Sequence, residues 1–129
     1  MPLIGALKVK AQIICGEEFA MGPGKADLLE AIAKEGSISA AGRALGMSYR
    51  RYWLLVDTMN RCWTAPLVQT TAGGGKGKGA RLTPLGREVL KAYRALEASM
   101  AQASGEQLKA LTNKLPPVPR ASQHAESEA

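Results

Sequence analysis

The sequence predicts a mainly α (α+β) fold, in which short helices are joined by small β hairpins and the last helix is long. Three observations carry that expectation. Two short apolar-striped segments meet at a glycine bend near Gly46. A glycine-lysine run, Gly73 to Gly79, separates two short extended segments. Thr83-Pro84 then opens an apolar repeat that persists to about Ala103. In chain order these are a helix-turn-helix, a hairpin wing and a closing helix, the layout of a winged helix-turn-helix.

The elements follow from local patterns. In residues 7–21, Leu7, Val9, Ala11 and Ile13 alternate with Lys8, Lys10 and Gln12, the period of a half-buried strand, and Gly16-Glu17 turns the chain back into a second strand. Gly22-Pro23-Gly24 breaks the pattern. Leu28, Leu29, Ile32 and Ala33 stripe a first helix from about Lys25 to Glu35, with Gly36 as its left-handed stop. Ser39 is the expected N-cap of a short second helix, Ala40 to Leu45, and Ser48 that of a third, Tyr49 to about Cys62. Leu67–Thr71 and Ala80–Leu82 read as strands. Threonine at the N-cap and proline at the first helical position suit the start of the last long helix. Leu108, Leu111 and Leu115 mark one more short helix, and Pro116 onward reads as a disordered polar tail. The expected division is 1–22 for an N-terminal hairpin, 23–103 for the winged helix-turn-helix, and 104–129 for the short helix and tail.

Charge supports a nucleic-acid reading by its placement. Lysine and arginine (17) outnumber aspartate and glutamate (11). Between Arg43 and Arg94 there are ten basic residues against only Asp57 and Glu88, so the excess belongs to the stretch holding the motif. No unbroken apolar run approaches the ~18–20 residues of a membrane span, and Met1 to Leu7 lack the features of a secretory signal. A cytoplasmic protein without membrane partners is expected. Cys15, Cys62 and the single His124 offer no metal-ligand spacing, and two cysteines so far apart in a cytosolic chain read as buried thiols rather than a disulfide. Neither a metal nor a cofactor is expected.

Within the motif, Ala40-Ala41-Gly42 supplies a small face for the third helix to lean on. Leu45, Met47, Tyr52 and Leu55 fall where apolar contacts are needed, with Val56 and Met59 continuing the stripe. The opposite face opens with Ser48, Tyr49, Arg50 and Arg51. A recognition helix reads base edges near its N-terminus, and arginine is the side chain best shaped for bidentate contact with guanine. Ser37 and Ser39 at the preceding helix start complete the expected DNA-facing set on this side. Trp53 and Trp63 read as packing rather than base-stacking groups.

The glycine-lysine run is not a P-loop, because Gly77-Lys78 is followed by Gly79 and not by Ser or Thr. It also lacks the spacing of a dinucleotide fingerprint. As a wing, Lys76 and Lys78 would reach phosphate or the minor groove with Arg81 at the base, adding affinity more than sequence choice. A disordered linker is the alternative.

The run GPGKADLLEAIAKEGSISAAGRALGMSYRRYWLLVDTMN, the wing TTAGGGKGKGARLT and then PLGREVLKAYRALE resemble the N-terminal DNA-binding domain of ModE-type molybdate-responsive regulators, itself similar to the winged helix of LysR-type regulators. The resemblance covers about residues 5–103. It implies a homodimer on a palindromic double-stranded DNA site, with Ser48, Tyr49, Arg50 and Arg51 at the start of the recognition helix and residues 71–81 as the wing. It also implies control of molybdenum uptake or molybdoenzyme genes. Full-length members bind molybdate in C-terminal modules, and the sequence after the winged helix does not resemble one. A single-domain form is therefore expected, acting without direct oxyanion binding or with a separate oxyanion-sensing protein. Dimerisation is expected through the first helix and the long last helix, whose stripe Leu85, Val89, Tyr93, Leu96 and Met100 is the expected surface. Rival readings are a protein-interaction winged helix and an oxyanion-binding protein. An enzyme is not expected, because no nucleophile–base or carboxylate pair stands out.

Overall fold

The computed structural model describes residues 3–4, 7–71, 79–103 and 105–123. Two hairpins open the chain: β1 (Leu3–Ile4) pairs with β2 (Leu7–Lys8), and β3 (Ile13–Cys15) with β4 (Glu18–Met21). The single strand expected over Leu7–Ile13 is thus divided, its two ends bonding to different partners. Its alternation survives in burial, since Leu7, Val9, Ala11 and Ile13 are all less exposed than Lys8, Lys10 and Gln12.

Three helices follow: α1 (Pro23–Glu35), α2 (Ile38–Ala44) and α3 (Tyr49–Cys62). α1 begins two residues earlier than the pattern suggests, because Pro23 is tolerated in a first turn whose N–H groups have no helical acceptor. α2 corrects a second expectation. Its cap is Ser37, whose Oγ accepts from Ala40 N at 2.9 Å, while Ser39 lies within the first turn. Burial of Ile38 as the first helical residue fixes this choice, since it seats α2 on the core. Ser48 caps α3 as expected, its Oγ accepting from Arg51 N at 3.2 Å.

Antiparallel β5 (Val68–Thr71) and β6 (Gly79–Leu82) form the stalk of the wing, in register from Val68↔Leu82 to Thr71↔Gly79. Thr83 then caps α4 (Pro84–Gln102), with Oγ1 accepting from Gly86 N at 2.9 Å. The same hydroxyl donates to the Pro66 carbonyl at 2.8 Å, so one side chain closes the wing and opens the helix. A short α5 (Gly105–Thr112) follows α4. Leu108 and Leu111 lie in it, whereas Leu115 lies beyond it.

One core unites these pieces. Leu28, Leu29 and Ile32 of α1 are fully buried and meet Tyr52, Val56 and Met59 of α3, Leu67 and Val68 at the wing, and Val89 and Tyr93 of α4. Each large side chain so buried contributes about 1.5–3 kcal/mol. Ala11 and Met21 bring the second hairpin into the same cluster, and the Tyr93 hydroxyl donates to the Ala11 carbonyl at 2.6 Å. Burial is the first cause that raises the Tyr93 pKa, with the Glu97 charge second.

Two polar clusters fix the geometry. Asn60 Oδ1 accepts from Leu67 N (2.9 Å) and Val68 N (3.0 Å), and its Nδ2 donates to Val68 O at 3.2 Å. An amide side chain on α3 thereby sets where the wing begins. Arg94 on α4 reaches Asp27 (2.7 Å) and Glu30 (2.6 Å) on α1, and Glu97 (2.9 Å) one turn along its own helix. Glu97 is wholly buried, and its second oxygen has no hydrogen-bond partner among the described residues. Burial disfavours the charge on Arg94, yet hydrogen bonds to Glu97, Glu30 and Asp27 outweigh it and raise its pKa.

Candidate nucleic-acid interface

The helix-turn-helix is set by two glycines. Gly46 takes φ +72°, the left-handed conformation that lets the chain reverse between α2 and α3 without a side-chain clash. Gly42 has no Cβ, and one built there would overlap the Tyr52 ring. The aromatic side chain of α3 therefore rests on the backbone of α2. Met47 N donates to Gly42 O at 2.9 Å and locks the same corner.

That corner turns the leading end of α3 outward. Ser48, Tyr49, Arg50 and Arg51 are all exposed, Tyr49 at 71%. The helical period places Tyr52, Val56 and Met59 inward and Arg50, Leu54, Asp57 and Arg61 on the outermost line. Arg51 lies on one flank, its guanidinium beside Gly24 at the start of α1. Lys25 is next to it. Its pKa is lowered mainly by burial, with the Arg51 charge lowering it further and Cys62 and Glu18 opposing. Tyr49 and Trp53 occupy the other flank, with ring centroids 6.2 Å apart and both rings against Tyr52.

The wing is anchored beside this unit. Ala80 N on β6 donates to the Gly36 carbonyl at 2.8 Å, joining the stalk to the end of α1 next to the Ser37 cap. Arg81 on β6 is exposed, whereas Lys76 and Lys78 lie outside the described residues. Ser37 and Ser39 are half-buried, with their hydroxyls 3.3 Å apart and the former occupied in capping.

Other side chains depart from expectation. The sequence pattern assigns Leu45 an apolar contact, but it is 41% exposed, because α2 ends at Ala44 and Ala41 and Gly42 supply the packed face instead. Trp53, expected to pack in the core or at an interface, is 38% exposed on α3 with its ring against Tyr49 and Tyr52, whereas Trp63 is half-buried and donates from Nε1 to the Ala20 carbonyl at 3.1 Å. Cys15 is exposed and Cys62 half-buried, so neither is the buried thiol expected. Of the expected dimerisation stripe, Val89 and Tyr93 are buried in the chain's own core, while Leu96 and Met100 stay exposed.

The basic stretch is also less uniform than its charge count. Arg61 bonds to Asp57 at 2.9 Å and Glu18 at 2.8 Å, and Arg94 is enclosed by its three carboxylates. Neutralisation at the far end of α3 leaves the positive field of that helix concentrated at its start. Sequence reasoning missed Leu54 and Trp53 as surface groups. The signal is present in the spacing, since they stand one turn beyond Arg50 and Tyr49 and must share their faces.

These features define a winged helix-turn-helix domain with an exposed basic leading turn. Residues 25–87 match the family model of the bacterial regulatory helix-turn-helix protein, lysR family. Over that segment the chain is thus similar to the LysR-type helix-turn-helix, and its curated relatives include ModE-type regulators. It is 49% identical over 70 residues to the molybdenum transport protein ModE of Azotobacter vinelandii, covering 54% of this chain and 26% of that one. It is 46% identical over 82 residues to the molybdenum-pterin-binding protein MopB of Rhodobacter capsulatus, covering 64% and 30%. The DNA-binding transcriptional dual regulator ModE of Escherichia coli K12 is 37% identical over 71 residues, covering 55% and 27%. The chain therefore spans less than a third of the length of these relatives. Among solved structures, the CbnR DNA-binding domain, determined as a DNA complex, matches with a TM-score of 0.50 at 20% identity. The match covers 69% of this chain and 95% of that one, which shows the shared fold. Among the described residues, no helix is long and apolar enough to cross a membrane.

Proposed function

We propose that this protein is a sequence-specific, double-stranded-DNA-binding transcriptional regulator, a cytoplasmic homodimeric repressor of genes for molybdenum uptake or molybdoenzymes. The observation that carries the reading is the outward leading turn of α3. There Arg50 and Arg51 are exposed, on a helix-turn-helix of LysR type, with no acidic residue in the helix's first turn to neutralise them. Similarity to proteins named for molybdenum transport and molybdenum-pterin binding supports the gene class.

In this reading Arg50 and Arg51 contact base edges, with Tyr49 and Trp53 on one flank and Leu54 between, placed to meet thymine methyl groups. Ser37, Ser39 and Ser48 lie at the helix starts nearest the backbone. Lys76, Lys78 and Arg81 contact phosphates. A second copy docks on α4 through Leu96 and Met100. Leu96 also lines an apolar groove of about 320 Å³ beside Met21 and Trp63.

The test is selection from a random duplex library, followed by gel shift at physiological salt and light scattering. A palindromic consensus that resists scrambled competitor, bound by a dimer, is expected. Equal binding to scrambled DNA would reduce the protein to a non-specific binder. Derepression of molybdenum-uptake transcripts on gene deletion checks the gene class.

A further inference from the structure

Cys15 and Cys62 are forty-seven positions apart in the chain, yet the fold brings the β3–β4 hairpin that carries the one against the end of α3 that carries the other. Cys15 ends β3 and pairs with Glu18 across the hairpin, and directly opposed residues of an antiparallel pair present their side chains on one face. Glu18 Oε2 accepts from Arg61 Nη2 at 2.8 Å. Trp63 Nε1 donates to Ala20 O at 3.1 Å. Both sequence neighbours of Cys62 are thus fastened to β4, the strand paired with Cys15. Burial first, then the interaction with the Cys15 thiol, raise the Cys62 pKa. Both are free, and Cys15 is open to solvent.

We propose that Cys15 and Cys62 are a redox modification site that closes to a reversible intramolecular disulfide, stapling the β3–β4 hairpin to the C-terminal end of α3. The oxidant is a low-molecular-weight disulfide of the glutathione type. Exposed Cys15, as thiolate, attacks one sulfur of that disulfide; a mixed disulfide forms and one glutathione thiolate leaves. The Cys62 thiolate then attacks the Cys15 sulfur, forming the protein disulfide and releasing the second glutathione. Two protein thiols are oxidised by two electrons, one small disulfide is reduced, and the two protons end on the released thiols.

The staple lies at the end of α3 away from Arg50. Fourteen residues of helix separate the two ends by about 20 Å, so closure leaves the leading turn open. In reducing compartments such a bond is transient and tracks the thiol pool. Its formation does not depend on the DNA-binding reading.

The test equilibrates the full chain with oxidised glutathione and reads intact mass, peptide map and thermal melting. Expected are a mass lower by two hydrogens, a Cys15–Cys62 linked peptide, a Tm raised by roughly 5–15 °C, and full reversal by dithiothreitol. Cys15→Ser should abolish the link, and Cys62→Ala should halt Cys15 at the glutathione adduct. Two alkylatable thiols after equilibration would overturn the proposal. So would a wild-type protein that stops at the adduct, or a disulfide joining two chains.

Discussion

The Tyr52 ring fills the space that a side chain at Gly42 would need, so α3 leans on bare backbone of α2. The angle between the two helices, and with it the outward aim of Arg50, follows from that contact. Replacing Gly42 by valine must either displace the ring or push the helices apart. Overpacking of this kind costs about 1–3 kcal/mol. Urea denaturation should show that loss, with specific DNA affinity falling further than stability alone accounts for. A Gly42→Val protein of unchanged stability and affinity would show that the corner does not depend on this contact.

Asn60 is the second determinant of site geometry, with three hydrogen bonds to the start of the wing. Asn60→Ala leaves two backbone N–H groups and a carbonyl without this partner, at Leu67 and Val68, which are themselves buried. A loss of about 2–3 kcal/mol is expected. Amide exchange in β5 and β6 should accelerate more than exchange in α1. Uniform acceleration would mean that Asn60 supports the whole core rather than the wing.

Removing Arg94 isolates the buried Glu97 carboxylate. Arg94→Met should cost about 3 kcal/mol, the low end for breaking a buried pair, because Asp27 and Glu30 remain half-open to solvent. The double change Arg94→Met with Glu97→Leu should recover most of that loss. Equal destabilisation in the single and double variants would show that packing of the arginine stem, rather than an unpaired charge, is responsible.

The DNA-contacting side chains should divide by role. Arg51→Ala and Arg50→Ala are expected to relax sequence preference, each by about 1–3 kcal/mol at one base position. Removing Lys76 and Lys78 should weaken binding to every sequence and reduce the salt slope by about one unit for each phosphate no longer neutralised. Identical effects from the two kinds of change would contradict the division.

Leu54 offers a separate test of how α3 lies. It is 53% exposed on the line shared with Arg50. Uracil substituted for thymine in the selected site should lower wild-type affinity, and Leu54→Ala should remove that sensitivity. Persistence of the uracil effect in the variant would assign the methyl group to another residue, Trp53 or Tyr49 first.

Much of the fold is legible in the sequence, because it depends on neighbours in the chain. Caps at Ser48 and Thr83, the turn at Gly46 and the apolar repeat of α3 are local patterns, set by backbone hydrogen bonds and helical period. The N-cap of α2 escapes sequence reading for the opposite reason. Ser37 and Ser39 are equally good caps locally, and burial of Ile38 against distant residues decides between them. Leu45 is ambiguous in the same way: an apolar residue at a helix end can face either way until the partner surface is known.

The amino-acid order by itself determined the helices, their stops, the wing stalk and the basic start of α3, since each arises from contacts a few residues apart. Only the tertiary structure decided which cations are drawn into ion pairs, which half of the α4 stripe the chain keeps for its own core, and that the hairpin bearing Cys15 is fastened to the end of α3 bearing Cys62. Those outcomes depend on side chains brought together from roughly 40 to 80 positions apart, and no periodicity or spacing along the chain records such encounters.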